Sequence, residues 1–149
     1  MDLMEFGVRI SLAALAGIFI GLEREFKGKD AGLKTNALVA LGACVFVLLS
    51  LEFRGEEFVD TTRVIGQVVA GIGFIGAGTI LQQRGKVEGL TSAATIWCSA
   101  AAGCLAAMGM FWELGMISAL VLFINLIFNI IENKLIRNRK QKNEKRNLD

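Results

Sequence analysis

The sequence predicts an all-α membrane protein, a polytopic bundle of about five transmembrane helices in a lipid bilayer. Five apolar runs of 17 to 19 residues fill most of the 149-residue chain. Each run has the length that a helix needs to cross a hydrocarbon core of about 30 Å. Within these runs the only charged residue is Arg9, although the chain carries 16 basic and 14 acidic residues. The runs are Phe6–Leu22, Thr35–Leu51, Val64–Leu81, Leu90–Met108 and Leu114–Ile131.

The basic residues are distributed unevenly around the predicted helices. With five spans, the first and third loops share a side with the C-terminal tail, and that side holds 13 Lys and Arg residues against two on the other. Positively charged flanks are retained in the cytoplasm, so we expect the N-terminus outside and the C-terminus inside. Residues 1–133 then form the transmembrane bundle. Residues 134–149 form a basic cytoplasmic tail that either extends the fifth helix or frays, and that anchors against anionic lipid.

The first predicted helix carries the one charge that lies inside a span. Arg9 is about one turn from the outer end, and Glu5 precedes it by four residues. An ionisable residue within the membrane is a functional candidate by default. The alternative is a structural anchor that pairs with Glu5 and extends its charge to the interface. The sequence leaves both interpretations open.

Small residues recur along the third helix at spacings that place them on one face. In lipid, helices associate through close backbone approach, so such a face indicates a tight contact. We therefore expect helices one, three and four to form the core, with the bulkier second and fifth helices facing lipid. The same face could serve between subunits, which makes a homodimer a further hypothesis. The predicted packing residues are Gly17 and Gly21 in the first helix and Gly66, Ala70, Gly73 and Ala77 in the third.

The stretch Gly71–Gly76 matches the dinucleotide-binding pattern GxGxxG, but the match is spurious. The true motif joins a strand to a helix whose N-terminus binds pyrophosphate, and no such site can lie inside an apolar run. The chain contains no His, which excludes histidine-based catalysis and histidine metal ligands. No nucleophile and base can be paired, so we expect no enzyme activity, no cofactor and no nucleic-acid partner. A metal site of another kind stays open.

Three polar residues surround the start of the third helix. Asp60, Arg63 and Gln67 are spaced i, i+3, i+7. Asp60 suits an N-cap or first-turn acid, which the helix dipole favours, and Arg63 could pair with it. With the predicted orientation, this cluster shares the outer side with Arg9. The residues therefore either form a polar pocket at the outer surface or only cap the helix.

A second polar group lies where the first loop meets its two helices. Glu23 and Arg24 end the first predicted helix, and Lys34, Thr35 and Asn36 begin the second. The loop between them is short enough to keep both sets close together. With the predicted orientation this group lies on the inner side.

Several weaker candidates lie within the spans. Cys44, Cys98 and Cys104 are interpreted as small apolar side chains, and a disulfide framework is not supported. Four polar residues share a stripe of the fifth helix and are expected to hydrogen-bond to neighbouring helices, with an ion path as the minority alternative. They are Ser118, Asn125, Asn129 and Glu132.

Four blocks of sequence stand out together, and they are Gly21–Glu25, Ala31–Ala43, Arg63–Gly78 and Gly89–Ala101. The second block contains Gly-Leu-Lys-Thr-Asn-Ala, and the third ends in Gly-Ile-Gly-Phe-Ile-Gly-Ala-Gly. In this order and at this spacing, the blocks resemble the MgtC/SapB family of bacterial membrane proteins. The resemblance covers roughly residues 5 to 131.

The resemblance implies a multi-pass protein of the bacterial inner (plasma) membrane. It also implies a link to magnesium limitation, to survival of pathogens inside host cells and, in some members, to restraint of the ATP synthase. Many members carry a soluble ACT-like domain after the bundle, where we expect only the basic tail here, and many have His in place of Asn36. The residues that the resemblance marks as functional are Glu23, Arg24, Lys34, Thr35, Asn36, Asp60, Arg63, Gln67, Thr91, Trp97 and Cys98.

Two functional hypotheses follow. The first is a regulatory protein that binds a membrane partner such as the ATP synthase, which fits dense small-residue packing with almost no charge in the spans. The second is a small transporter or channel for Mg²⁺ or another ion. Mg²⁺ is usually held through carboxylates and retained waters, and no predicted span contains Asp or Glu, which disfavours the second hypothesis.

Overall fold

The computed structural model describes residues 1–57, 60–83 and 86–146, with side chains described as far as Phe128 except at residue 83. Five helices and one antiparallel hairpin make up this part of the chain. The helices are α1 (Leu3–Phe26), α2 (Leu33–Glu52), α3 (Thr62–Gly78), α4 (Leu90–Ala107) and α5 (Phe111–Arg146). The hairpin strands are β1 (Leu81–Gln83) and β2 (Lys86–Glu88).

The helices confirm an all-α polytopic membrane protein. Four of them, α1, α2, α4 and α5, are long and apolar enough to cross a membrane, and α3 is a shorter apolar helix of 17 residues. Helix α5 continues without a break to Arg146, so the basic tail begins as an extension of the fifth helix. Which side of the membrane each end faces stays a prediction from the charges.

The hairpin was not predicted. The third apolar run was expected to stay helical to Leu81, but α3 ends at Gly78, where the Thr79 hydroxyl donates to the Gly76 carbonyl at 2.8 Å. Gly89 then starts α4 with a φ of 88°, and a Cβ at that position would lie 1.9 Å from the Thr79 carbonyl oxygen. Only glycine fits this close return of the chain.

The core lies between α1, α2 and α4, which pack against one another over most of their length. Glycines permit the close approach. A Cβ at Gly17 would lie 2.4 Å from the carbonyl oxygen of Asn36, and one at Gly103 would lie 2.1 Å from that of Ala40. Gly21 makes a similar contact, at 2.8 Å from the carbonyl oxygen of Gly32. The structure thus places both small residues singled out in α1 against α2.

The prediction that α3 belongs to the core and α2 faces lipid is wrong. Helix α3 lies at the edge of the bundle, mainly against α4, while α2 contacts both α1 and α4 along its length. Small residues permit a close contact but do not specify which helix makes it, and α2 turns its own small residues inward. The four packing residues predicted in α3 are all exposed in the described part of the chain. They are Gly66, Ala70, Gly73 and Ala77.

Candidate functional site

Buried polar side chains gather at one end of the bundle, where α1 ends and α2 and α4 begin. Four of them form two hydrogen-bonded pairs, Arg24 with Ser92 and Asn36 with Ser99, and both pairs also bind carbonyls of the loop between α1 and α2; together they are what we call the buried polar network. Each is less than 5% exposed. Buried polar groups are stable only when they are hydrogen-bonded, so these side chains fix how the three helices meet.

Arg24 ties α1 to the following loop and to α4. Its Nε donates to the backbone carbonyl of Asp30 at 2.9 Å, and its Nη2 donates to the hydroxyl of Ser92. Its Nη1 is enclosed and has no hydrogen-bond acceptor. The neighbouring Glu23 forms an ion pair with Lys27 at 2.7 Å. Both hydrogen-bond acceptors of the guanidinium are neutral, and the carboxylates of Glu23 and Asp30 attract it without forming an ion pair with it.

Asn36 joins the same loop to α4. Its Nδ2 donates to the carbonyl oxygens of Ala31 and, at 2.9 Å, of Gly32, while its Oδ1 accepts a hydrogen bond from the Ser99 hydroxyl at 2.8 Å. Ala31 has a φ of 57°, a left-handed conformation that costs an L-residue roughly 1–2 kcal/mol. The bonds from Asn36 hold this strained turn in place.

The two helices that begin here are capped differently. A carboxylate oxygen of Glu25 accepts a hydrogen bond from the Leu33 amide at 3.1 Å, which supplies α2 with an acidic cap. Helix α4 begins after Gly89, which has no side chain, and no acidic residue lies in its first turn. The positive end of α4 therefore faces the Arg24 guanidinium with no carboxylate cap of its own.

The other candidates on this side lie at the edge of the network. Lys34 and Thr91 are exposed, and Thr35 is half-buried. The Thr91 carbonyl accepts a hydrogen bond from the Thr95 hydroxyl at 2.8 Å, a contact within α4. Sequence reasoning did not select Ser92 and Ser99 as site residues. Their spacing with Thr95, at i, i+3 and i+7 in an apolar run, was the signal that could have identified them.

Arg9 ties α1 to the end of α4 at the opposite end of the bundle. Its Nη1 donates to the carbonyl of Ala107 in the last turn of α4, and its Nη2 forms an ion pair with Glu5. A cation is favourable at the negative end of a helix. The next turn needs Gly109, which has a φ of 74° and leaves room for the guanidinium. Of the two interpretations left open by the sequence, this geometry matches the structural one.

Of the two alternatives for Asp60, Arg63 and Gln67, the outer polar pocket is not formed by the residues that the structure describes. Asp60 accepts hydrogen bonds from the Thr62 amide at 2.9 Å and from its hydroxyl at 2.6 Å, and these bonds lower the pKa of the Asp60 carboxyl. Arg63 is exposed, and Gln67 lines a shallow apolar groove between α2 and α3. Arg9 lies apart, at the end of α4. Asp60 therefore serves the start of α3, and the cluster does not converge with Arg9.

Trp97 lies in a broad apolar groove between α3, α4 and α5, which we call the lateral groove. The groove has a volume of about 950 Å³. Trp97 is 51% exposed there, and Met116 from α5 is 72% exposed. Cys98 lies half-buried against the core as a free thiol. Residues that represent the three walls are Ile65, Val69, Trp97, Met108, Met116 and Phe123.

The described residues offer no obvious metal centre. No three His, Cys, Asp or Glu side chains gather within the described ranges. The buried polar network holds amide, hydroxyl and guanidinium groups, which suit hydrogen bonding and anion binding better than cation ligation. The network therefore links the three helices and leaves one donor, Nη1 of Arg24, without an acceptor.

Comparison with known proteins gives one family. The model of the MgtC family matches residues 10–134. Similar proteins include "Uncharacterized protein slr0014" of Synechocystis sp., 41% identical over 85% of this chain and 53% of that protein. "Protein MgtC" of Brucella abortus is 43% identical over 77% of this chain and 50% of that protein. "Putative magnesium transporter YhiD" of Escherichia coli is 40% identical over 89% of this chain and 64% of that protein.

These relatives are longer than the sequence described here. The chain spans between half and just under two thirds of their length. No solved structure matches.

Proposed function

The chain belongs to the MgtC family, and on that premise we propose that it is a regulatory protein of magnesium homeostasis that acts by binding a membrane protein partner. It works in the bacterial inner membrane during adaptation to low magnesium and, in a pathogen, during virulence. The names of its relatives, "Protein MgtC" and "Putative magnesium transporter YhiD", support the link to magnesium. The ATP synthase is the partner that the family resemblance suggests, and the proposal assigns no catalytic reaction to the chain.

One structural observation carries the partner-binding mechanism. The buried polar side chains hold the helices together, whereas the lateral groove is left open and almost entirely apolar. In a bilayer, helices bind one another through shape and close packing because lipid is as apolar as they are. A groove walled by Trp97, Met116 and Phe123 offers both large and adaptable side chains to a transmembrane helix of the partner.

Site-specific photo-crosslinking in native membranes tests this proposal. A photoreactive residue at Met116 is expected to give one discrete protein adduct, which mass spectrometry identifies. The matched control is Leu15, which is 58% exposed on α1, outside the lateral groove. Lipid adducts alone at Met116, in cells limited for magnesium, would overturn the partner model.

The rival proposal is a transporter or channel for Mg²⁺ or another ion, which the name of the relative YhiD favours. Mg²⁺ requires several oxygen ligands, and an ion path through this bundle would have to use hydroxyls, amides and backbone carbonyls. Flux into proteoliposomes that saturates with Mg²⁺ and is lost in Asp60→Ala would favour the transporter. Flux equal to that of empty liposomes would leave the partner-binding proposal in place.

We also propose that two copies of the chain associate through α3. The outward face of α3 carries exposed small residues together with the exposed Gln67 and Arg63. A two-fold axis along this face would bring Arg63 of each copy near Asp60 of the other, since isologous contacts are reciprocal. The Gln67 amide both donates and accepts, so it can pair with its own copy. The small residues are Gly66, Ala70, Gly73 and Ala77.

A further inference from the structure

Arg24 is a buried cation that the carboxylates of Glu23 and Asp30 attract but do not pair with. It is 2% exposed, and both of its hydrogen-bond acceptors, the Asp30 carbonyl and the Ser92 hydroxyl, are neutral. No ion pair with Arg24 is formed by the residues that the structure describes. A buried charge is ordinarily neutralised by an opposite charge, because its desolvation costs far more than neutral acceptors return.

The electrostatic surroundings of Arg24 strengthen this conclusion. Ser92 lies in the first turn of α4, so the guanidinium faces a helix N-terminus, which is itself positive. The guanidinium therefore meets a second positive group inside the protein, while the attraction of Glu23 and Asp30 offsets part of its charge. At the start of α2, the positive helix N-terminus has an acidic partner in Glu25, whose carboxylate accepts a hydrogen bond from the Leu33 amide. Helix α4 has no equivalent acid.

We propose that Arg24 and the first turn of α4 bind an oxyanion of the phosphate class. The orphan Nη1 of Arg24 is one donor that such an anion requires, and the first amides of α4, which have no acceptor within the helix, are the others. Guanidinium groups suit phosphate oxygens because their planar donors bind two oxygens at once. The anion would be either a lipid headgroup phosphate or a free phosphate. This inference is independent of the proposed function.

The first turn of α4 provides the approach to the site. Leu90 is 57% exposed and Thr91 is exposed, so the start of α4 is accessible from outside the bundle. Nη1 itself is enclosed, which limits the ligand to one small oxyanion group. Exposed Lys34 lies nearby in sequence, at the start of α2, and adds to the attraction of anions.

The test uses the full chain in nanodiscs and measures the midpoint of thermal unfolding. In the first arm, inorganic phosphate is added to nanodiscs of pure phosphatidylcholine. In the second arm, phosphatidylglycerol replaces part of the lipid and no phosphate is added. Saturating ligand at ten times its Kd is expected to raise Tm by about 3–6 °C. A rise in the first arm identifies free phosphate as the ligand, and a rise in the second arm alone identifies the headgroup.

Two pairs of variants connect the response to the site. Arg24→Gln is expected to abolish the rise in Tm, whereas Lys86→Gln, which removes an exposed charge from β2, is expected to retain it. Should Arg24→Gln fail to fold, Ser92→Asp and Ser92→Asn provide the second pair, matched in shape and different in charge. Ser92→Asp supplies the missing carboxylate, so it is expected to melt higher than Ser92→Asn and to lose the response to the anion.

Three results would overturn the proposal. One is the absence of any rise in Tm in both arms. Another is a rise that Arg24→Gln retains and Lys86→Gln loses, which would identify nonspecific surface attraction. The last is a Ser92→Asp variant that melts no higher than Ser92→Asn.

Discussion

The hydroxyl of Ser99 donates a 2.8 Å hydrogen bond to the side-chain oxygen of Asn36, and both residues are completely buried. This bond crosses from α4 to α2, between residues 63 positions apart in the chain. On its other side, Asn36 binds the carbonyls of Ala31 and Gly32. A single amide thus fixes both the spacing of two core helices and the strained loop that covers Arg24.

Replacing Asn36 by Ala should destabilise the protein by about 2–4 kcal/mol, because the change leaves the Ser99 hydroxyl and the Ala31 carbonyl without partners and removes one of the two donors to the Gly32 carbonyl. Ser99→Ala removes only one bond and should cost about 1 kcal/mol. The free energy of unfolding in mixed micelles measures both. In the double variant the two costs should be less than additive. Full additivity would show that the hydrogen bond contributes nothing to stability.

Glycines should separate into two classes when each is changed to Ala. Gly17→Ala places a Cβ 2.4 Å from the Asn36 carbonyl oxygen and should reduce stability by several kcal/mol or prevent folding, since backbone has to move. Gly66→Ala is the matched control, because nothing lies within 4 Å of its Cβ. That change should leave stability unchanged or raise it by about 0.5–1 kcal/mol. Equal losses at both positions would contradict the packing described for α1 and α3.

The contrast between α1 and α3 shows how far the sequence determines this fold. The uncharged runs predict the number and position of the helices because bilayer thickness and hydrogen bonding leave few alternatives. They do not determine which helices touch, since every helix here is apolar and most carry small residues. Gly17 and Gly73 look alike in the sequence, yet a Cβ at the first would meet α2 and one at the second would meet open space.

The candidate site was predictable only in part, for a related reason. Arg24 and Asn36 were selected because charged and amide side chains are conspicuous near apolar runs. Ser92 and Ser99 were not, because hydroxyls are common in such helices and gain significance only from the partner that they face. The missing cap of α4 could not be predicted either, because the cap of α2 comes from Glu25, a residue of another helix.

Arg9→Met should destabilise the bundle by about 1–3 kcal/mol, because the Ala107 carbonyl loses a charged donor at the end of α4. Glu5→Gln should cost less than 1 kcal/mol, since that ion pair is partly exposed and is screened by solvent. Unfolding by denaturant in micelles of one detergent measures both. An Arg9→Met variant as stable as the parent would favour the functional interpretation of this residue over the anchoring one.

Disulfide trapping tests the association of two copies through α3. In a chain whose native Cys44, Cys98 and Cys104 are changed to Ala, oxidised membranes should yield a covalent dimer from Ala70→Cys. The matched control is Ile72→Cys on the buried side of the same helix, which should stay monomeric. A dimer from both positions would indicate random collision, and a dimer from neither would rule out the α3 interface.

Asp60 should make the free energy of unfolding smaller at acidic pH than at neutral pH. Hydrogen bonds from the Thr62 hydroxyl and amide lower the pKa of its carboxyl in the folded protein. A lowered folded-state pKa stabilises the protein above the unfolded-state pKa, and the contribution is lost as pH falls through the folded-state value. Asp60→Asn should therefore be less stable than the parent from neutral pH down to about pH 4, with the difference shrinking below that.

Unfolding free energies of the parent and Asp60→Asn, compared at pH 7 and at pH 3, measure this effect. Thr62→Val gives the matched control because it removes the hydroxyl donor and leaves the carboxyl and the backbone amide in place. It should weaken the pH dependence without abolishing it, since the amide still donates to Asp60. A stability difference between the parent and Asp60→Asn that grows as pH falls would show that the carboxyl destabilises the start of α3, contrary to the geometry.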